Sequence, residues 1–166
     1  MDITIRPARD DELDDVGELT ARAYLHDGLL RHGTQDQYLE RLREARTRAR
    51  HTELLVAVDT VSDKVLGAVA FVGEGGPYAE LAGPGEGEFR MLAVRPEGRG
   101  RGAGEALVRA CVERSRERGL RRLVLCSTGR MATAHRLYGR LGFVRAPERD
   151  WDPYPGFTLH AFVLEL

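Results

Sequence analysis

The chain has 166 residues, 42% of them apolar, and a formal net charge of −1. That length fits one domain, residues 1–166, with enough interior to fold without disulfide or metal staples. The balanced charge excludes bulk electrostatic capture of nucleic acid or of an anionic membrane, and no apolar run approaches the roughly 20 residues of a membrane span.

Ile3 and Ile5 alternate with polar residues and predict a short first strand ending at Pro7. Asp10 or Asp11 can cap a helix with Leu13, Val16, Leu19, Ala23 and Tyr24 on one face. Thr34 or Asp36 opens a second helix running to about Arg50, with Tyr38, Leu39, Leu42 and Ala45 inward and a solvated run of arginines outward. Residues 53–59 and 65–72 read as a hairpin turning at Ser62-Asp63-Lys64. Residues 73–87 are rich in glycine, with Pro77 and Pro84 inside, and predict a long mobile loop. Residues 88–94 form a central strand, and a helix follows from about Gly102 to Arg118, with Gly119 as its stop. Leu123 to Cys126 is a strand covered on both faces, and 131–141 is a short helix ended by Gly142. Phe143-Val144 starts a strand, 145–156 is a proline-bearing loop, and 157–166 is the last strand. The pattern is that of a single α/β fold without linker or repeat. Met1 to Ile5 has neither the charged start nor the apolar run of a leader, so Cys111 and Cys126 are expected as free thiols in a cytoplasmic protein.

The segment Val94-Arg95-Pro96-Glu97-Gly98-Arg99-Gly100-Arg101-Gly102-Ala103-Gly104 joins a strand end to a helix start through a glycine-arginine loop. The first N–H groups of a helix lack carbonyl partners and carry the positive end of its dipole, so such a loop suits a pyrophosphate. Its spacing is not that of a dinucleotide-binding fingerprint, it follows the fourth strand rather than the first, and Cys126-Ser127-Thr128 stands where that fold keeps an acidic residue. A Walker A loop is excluded by the missing Gly-Lys-Ser/Thr.

Arg99-x-x-Gly102-x-Gly104, preceded by Met91-Leu92-Ala93-Val94-x-Pro96, resembles motif A of the GNAT superfamily of acyl-CoA-dependent acyltransferases. Ala134-x-x-x-Tyr138-x-x-x-Gly142-Phe143 resembles its motif B. The resemblance implies a mixed sheet of about seven strands with four helices, splayed between the fourth and fifth strands, with acetyl-CoA in the splay and no metal. Amides of Arg99, Gly100, Arg101, Gly102, Ala103, Gly104 and Glu105 would take the pyrophosphate, and the edge of Leu92, Ala93 and Val94 would pair with pantetheine. The N–H of Leu92 would receive the oxyanion.

By the same resemblance, Tyr138 protonates the departing thiolate; the alternative is a packed core tyrosine. Glu88 is the candidate base for the amine, against a solvent-facing carboxylate at a strand end. Motif B often carries an asparagine where Met131 stands here. Cys126 has no basic neighbour in sequence to make it a nucleophile, and Ser127 suits a local turn bond. The five histidines (His26, His32, His51, His135 and His160) lack metal spacing, and the helical phase of His135 points it away from Tyr138. Tyr24, Tyr78, Trp151, Tyr154 and Phe157 are candidate walls for the acceptor. The expected activity is acetyl transfer to a primary amine, small molecule or peptide, in a ternary complex. A non-catalytic acyl-CoA sensor is the alternative, and an NADP-binding protein comes third. A homodimer through the last strands is implied by resemblance.

Overall fold

A computed structural model describes residues 2–73 and 75–166. Eight strands form one sheet: β1 (Ile3–Pro7), β2 (Glu53–Asp59), β3 (Val65–Phe71), β4 (Glu86–Val94), β5 (Arg122–Thr128), β6 (Val144–Arg145), β7 (Trp151–Tyr154) and β8 (Phe157–Glu165). Their order is β1-β2-β3-β4-β5-β8-β6, with β7 also pairing to β8. Every pairing is antiparallel except β4 with β5. Five helices cover the sheet: α1 (Leu13–His26), α2 (Gln37–Arg43), α3 (Ala45–His51), α4 (Ala103–Glu117) and α5 (Ala132–Arg140).

Alternation along the strands sends two apolar sets to opposite faces. Leu55, Ala57, Val69 and Phe71 pack with Leu107, Val108 and Cys111 of α4, and Leu54, Val56, Ala68 and Ala70 pack with Leu13, Val16 and Leu19 of α1. Phe89, Tyr138, Phe143 and Phe162 continue the first core under α5.

The expected second helix is two. Between α2 and α3 the backbone turns at Glu44 (ψ 60°), and Arg48, only 1% exposed, reaches back to donate from Nη1 to the carbonyls of Leu42 (2.9 Å) and Arg41 (3.1 Å). One of the arginines read as solvated therefore satisfies the C-terminal carbonyls of α2. The first helix also starts later than expected. Residues 10–12 form a 3₁₀ turn closed by Glu12, whose Oε1 accepts from the Arg9 N–H at 2.8 Å, while both of its oxygens accept from Arg6. The proline-bearing segment 145–156 contains β7, which adds an eighth strand.

Of the expected mobile loop 73–87, Glu74 lies outside the described residues, and residues 78–82 are pinned. Tyr78 is buried in a small core with Leu39, Leu42 and Met91. Oε1 of Glu88 accepts the N–H groups of Glu80, Leu81 and Ala82 at 3.0, 3.0 and 3.1 Å. Composition undercounted this segment because its anchor is a carboxylate in the next strand, not an apolar stripe of its own.

Candidate active site

Strands β4 and β5 pair in parallel only through Glu86–Arg122, Gly87–Leu123 and Glu88–Val124. Beyond that both strands continue, β4 to Val94 and β5 to Thr128, without pairing to each other. The β4 backbone from Phe89 onward thus has no ladder partner on the β5 side. On its other side, β4 meets β3 with a bulge: Ala70 faces Arg90 and Ala68 faces Ala93, so Met91 and Leu92 together oppose Val69. Met91 is held at φ 57°, a left-handed conformation costing a non-glycine residue about 1–2 kcal/mol. Within the bulge, this strained residue stands immediately before Leu92, which lines the cavity described next.

The loop after β4 ends on α4 with Gly102 as its N-cap at φ 83°, and a Cβ built there or at Gly100 (φ 76°) would meet nothing within 4 Å. The first capping bond runs from Ala106 N to Gly102 O. Arg99 N and Arg101 N donate to Pro96 O (3.2 Å) and Gly98 O (3.4 Å). Among the described residues, the N–H groups of Gly100, Gly102, Ala103, Gly104 and Glu105 meet no protein acceptor. The expected set of seven amides is therefore five. The two arginine side chains also diverge from expectation. Arg101 turns onto Asp2 and Asp59 (2.9 and 2.8 Å), whereas Arg99 pairs with Asp27 at 3.2 Å beside the loop.

This loop, Leu92, Ala93 and Val94 wall a cavity of about 660 Å³, closed on the other side by residues 130–134, Leu137 and Arg140. Arg130 and Arg140 belong to this wall, and no sequence motif marked them. A second cavity of about 700 Å³ lies toward α2 and the β7–β8 hairpin, walled by Tyr38, Glu80, Arg90, Cys126, Ser127, Tyr154 and Phe157 among others. The two cavities share Tyr24, Leu29 and Met131. Met131, in the place of an expected asparagine, stands at the junction.

Of the expected aromatic walls, Tyr24, Tyr154 and Phe157 line the second cavity. Tyr78 instead lies under the Arg41 guanidinium (4.4 Å), and Trp151 pairs with Leu159 in the hairpin; neither lines either of these two cavities.

Glu88 departs from the expected base. It is 0% exposed, lines neither cavity and has one oxygen committed to three loop amides. Burial pushes its carboxyl above the usual carboxylate range, outweighing those amide bonds. Two carboxylates do line the second cavity: Asp36, at the N-cap of α2, and Glu80, in contact with the Arg90 guanidinium at 3.0 Å. Arg90 is itself fixed by the Tyr78 carbonyl (3.0 Å) and the Tyr38 hydroxyl (2.9 Å). Glu80, Glu88 and Cys126 bring donor atoms within 4.8 Å of one another, and Arg90 supplies positive charge at that cluster. Burial, with Glu80 and Glu88 adding to it, pushes the Cys126 thiol up to about 12, which leaves it protonated and unreactive.

Tyr138 is 3% exposed in an edge-to-face cluster with Phe89 (5.9 Å) and close to Phe143 (5.8 Å) and Phe162 (5.6 Å). Burial raises its phenol above the usual tyrosine value, so it remains a proton donor at neutral pH. His135 is not turned away from this cluster. Its ring lies 4.8 Å from Phe162 and 6.4 Å from Tyr138, and Nε2 is 3.0 Å from the Ser127 hydroxyl. Helical phase alone missed this contact, because the end of β5 lies beside the start of α5.

The acetyltransferase (GNAT) family model matches residues 14–143. No curated protein matches the chain. Among solved structures, an acetyltransferase of the GNAT family from Staphylococcus aureus Mu50 superposes with a TM-score of 0.76 at 11% identity, covering 99% of each chain. A protein of Salmonella typhimurium whose structure holds its cofactor acetyl-CoA gives 0.70 at 22% identity, over 100% of this chain and 95% of its own. A ribosomal-protein-alanine N-acetyltransferase from Brucella melitensis gives 0.70 at 20% identity, over 98% and 99%.

Proposed function

The chain belongs to the GNAT acetyltransferase family, and on that premise we propose that it transfers an acetyl group from acetyl-CoA directly to a primary amine. The observation that carries this reading is the junction of the two cavities at the point where β4 and β5 part. One cavity offers free amides and a free strand edge; the other offers room for a second molecule. Such an arrangement suits two substrates meeting without a covalent enzyme intermediate, and holding them together supplies much of the acceleration.

The residues fit acetyl-CoA, which supplies the activated acetyl thioester. Five free amides at the start of α4 suit its diphosphate, with the helix dipole adding up to ~2 kcal/mol. Arg99, Arg130 and Arg140 add positive charge along the same wall. The unpaired edge of Leu92, Ala93 and Val94 suits a chain of amides such as pantetheine. Leu92 N–H, at the bulge, would stabilise negative charge on the attacked carbonyl oxygen, a role typically worth ~3 kcal/mol. Tyr138 would protonate the departing thiolate.

The test is thiol release from acetyl-CoA in the presence of glycine, spermidine, an aminoglycoside and a peptide with a free N-terminus, beside calorimetry with CoA. Turnover with any of these amines supports the reading. Heat with CoA but no thiol release from any amine would make the protein a sensor, and no heat at all would end the acyl-CoA reading.

A further inference from the structure

The acetyl-transfer reading leaves the amine proton without a recipient, since Glu88 is sealed beneath its loop. Of the other carboxylates beside the acceptor cavity, Glu80 is paired with Arg90, and Asp36 caps α2 by accepting from Tyr38 N at 2.9 Å. Ser127 lines that cavity, is 4% exposed, and has its hydroxyl 3.0 Å from His135 Nε2. Its other contacts are weaker acceptors: the Met131 sulfur at 3.1 Å and the Thr128 carbonyl at 3.4 Å. We propose, resting on the acetyl-transfer reading, that Ser127 and His135 form a proton relay for the acceptor amine, with Ser127 touching the substrate and His135 acting through it.

As the nitrogen–carbon bond forms and the carbon–sulfur bond breaks, the amine gives a proton to Ser127 Oγ. The Ser127 proton moves to Nε2 of a ring protonated on Nδ1, giving an imidazolium that later returns the proton to water. The thiolate takes its proton from Tyr138, which is restored by solvent. The groups facing His135 favour this direction. Burial is the main opponent of a positive charge on the ring, followed by His160 on β8, with its ring 6.2 Å away, and to a smaller degree Arg145 on β6; a backbone hydrogen bond to Thr128 works against them. Phe162 and Tyr138 pack against the ring and bring no charge. The net effect holds the imidazole below the ordinary histidine range, so it is neutral and accepting at pH 7.

The experiment is the pH dependence of kcat/KM for the parent, Ser127→Ala and His135→Gln, using acetyl-CoA and whichever of the four amines above gives the fastest thiol release. The expected result is a parent acid limb below the ordinary histidine range. Both variants should fall about 10²-fold at neutral pH and lose that limb, with unchanged heat of CoA binding. Variants that keep the parent's profile, or that slow the reaction without changing its pH dependence, overturn the relay. Thermal melts report folding, and if His135→Gln fails to fold, the smaller Ser127→Ala change decides alone. A parent that binds CoA but acetylates none of the four amines removes the transfer reading itself, a result seen before any variant is made.

Discussion

Two glycine-rich segments flank β4, and each presents a cluster of backbone N–H groups. In the segment before β4, the amides of Glu80, Leu81 and Ala82 converge on the buried carboxylate of Glu88. In the segment after it, the amides of Gly100, Gly102, Ala103, Gly104 and Glu105 meet no protein acceptor. The chemistry is the same, an anion held by converging donors. What differs is the source of the anion. Where the chain supplies its own, the segment becomes a fixed wall, and where it does not, the amides stay open to an anion from outside. Glycine content alone does not distinguish the two.

The sharpest way to break this comparison is to remove the internal anion. Glu88→Ala leaves three half-buried amides without their acceptor, which should cost on the order of 3 kcal/mol and roughly 10 °C in Tm. Glu88→Gln keeps an oxygen for those amides and should cost far less. The pH sign separates the two effects. The Glu88 pKa is raised in the fold, so the folded state binds the proton more tightly than the unfolded chain does. Stability from this group is therefore full below the ordinary carboxylate value and falls as pH rises through the raised one. Melts of the Gln variant should lack that decline, so its deficit relative to the parent shrinks with rising pH. A deficit constant across pH would show that Glu88 is not the titrating anchor.

The second segment is tested by filling it. Gly102→Glu places a carboxylate where a Cβ meets open space, in line with the free amides. It should weaken CoA at least 10²-fold by calorimetry, about 2.7 kcal/mol. Gly102→Ala is the control, since φ 83° penalises any L side chain by about 1 kcal/mol without bringing charge. Equal loss in both variants would assign the effect to backbone strain rather than to the anion site.

The segment after β4 was legible in sequence because its parts are contiguous: strand end, glycines and helix start lie within eleven residues. The splay of β4 from β5 followed from the family resemblance, not from any pattern in the strands themselves. The second cavity was barely legible. Its wall joins α1, α2, the end of β5 and the β7–β8 hairpin, which periodicity within one element cannot bring together. His135 shows the same limit, since its helical phase is set within α5 but its partner Ser127 lies across a turn on β5. The burial of Arg48 and of Glu88 was missed for a related reason. A charged residue is solvated by default, and only the carbonyls or amides it satisfies show why it is buried.

Tyr138 packs with Phe89, Phe143 and Phe162, and Phe89 is the first β4 residue beyond its pairing with β5. Tyr138→Phe preserves every ring contact and should leave Tm and CoA binding unchanged while lowering kcat about 10²-fold. An unchanged kcat would return the residue to the core as packing alone.

The smallest expected effects separate two arginines that sequence treated alike. Arg99 lines the cavity beside the α4 loop and pairs with Asp27 at 3.2 Å, whereas Arg101 is drawn away to Asp2 and Asp59 at the β1–β2 edge. Arg99→Gln should weaken CoA a few-fold, more at low salt than at high, because an exposed charge acting on a phosphate is screened over about 10 Å at 0.1 M. Arg101→Gln should leave CoA affinity unchanged at any salt, since only the N–H of residue 101 belongs to the loop, and that donates to the Gly98 carbonyl. If Arg101→Gln proves the more damaging of the two, the guanidinium leaves its two aspartates when CoA arrives. The second segment would then work by recruiting side-chain charge, and free amides would not be its defining feature.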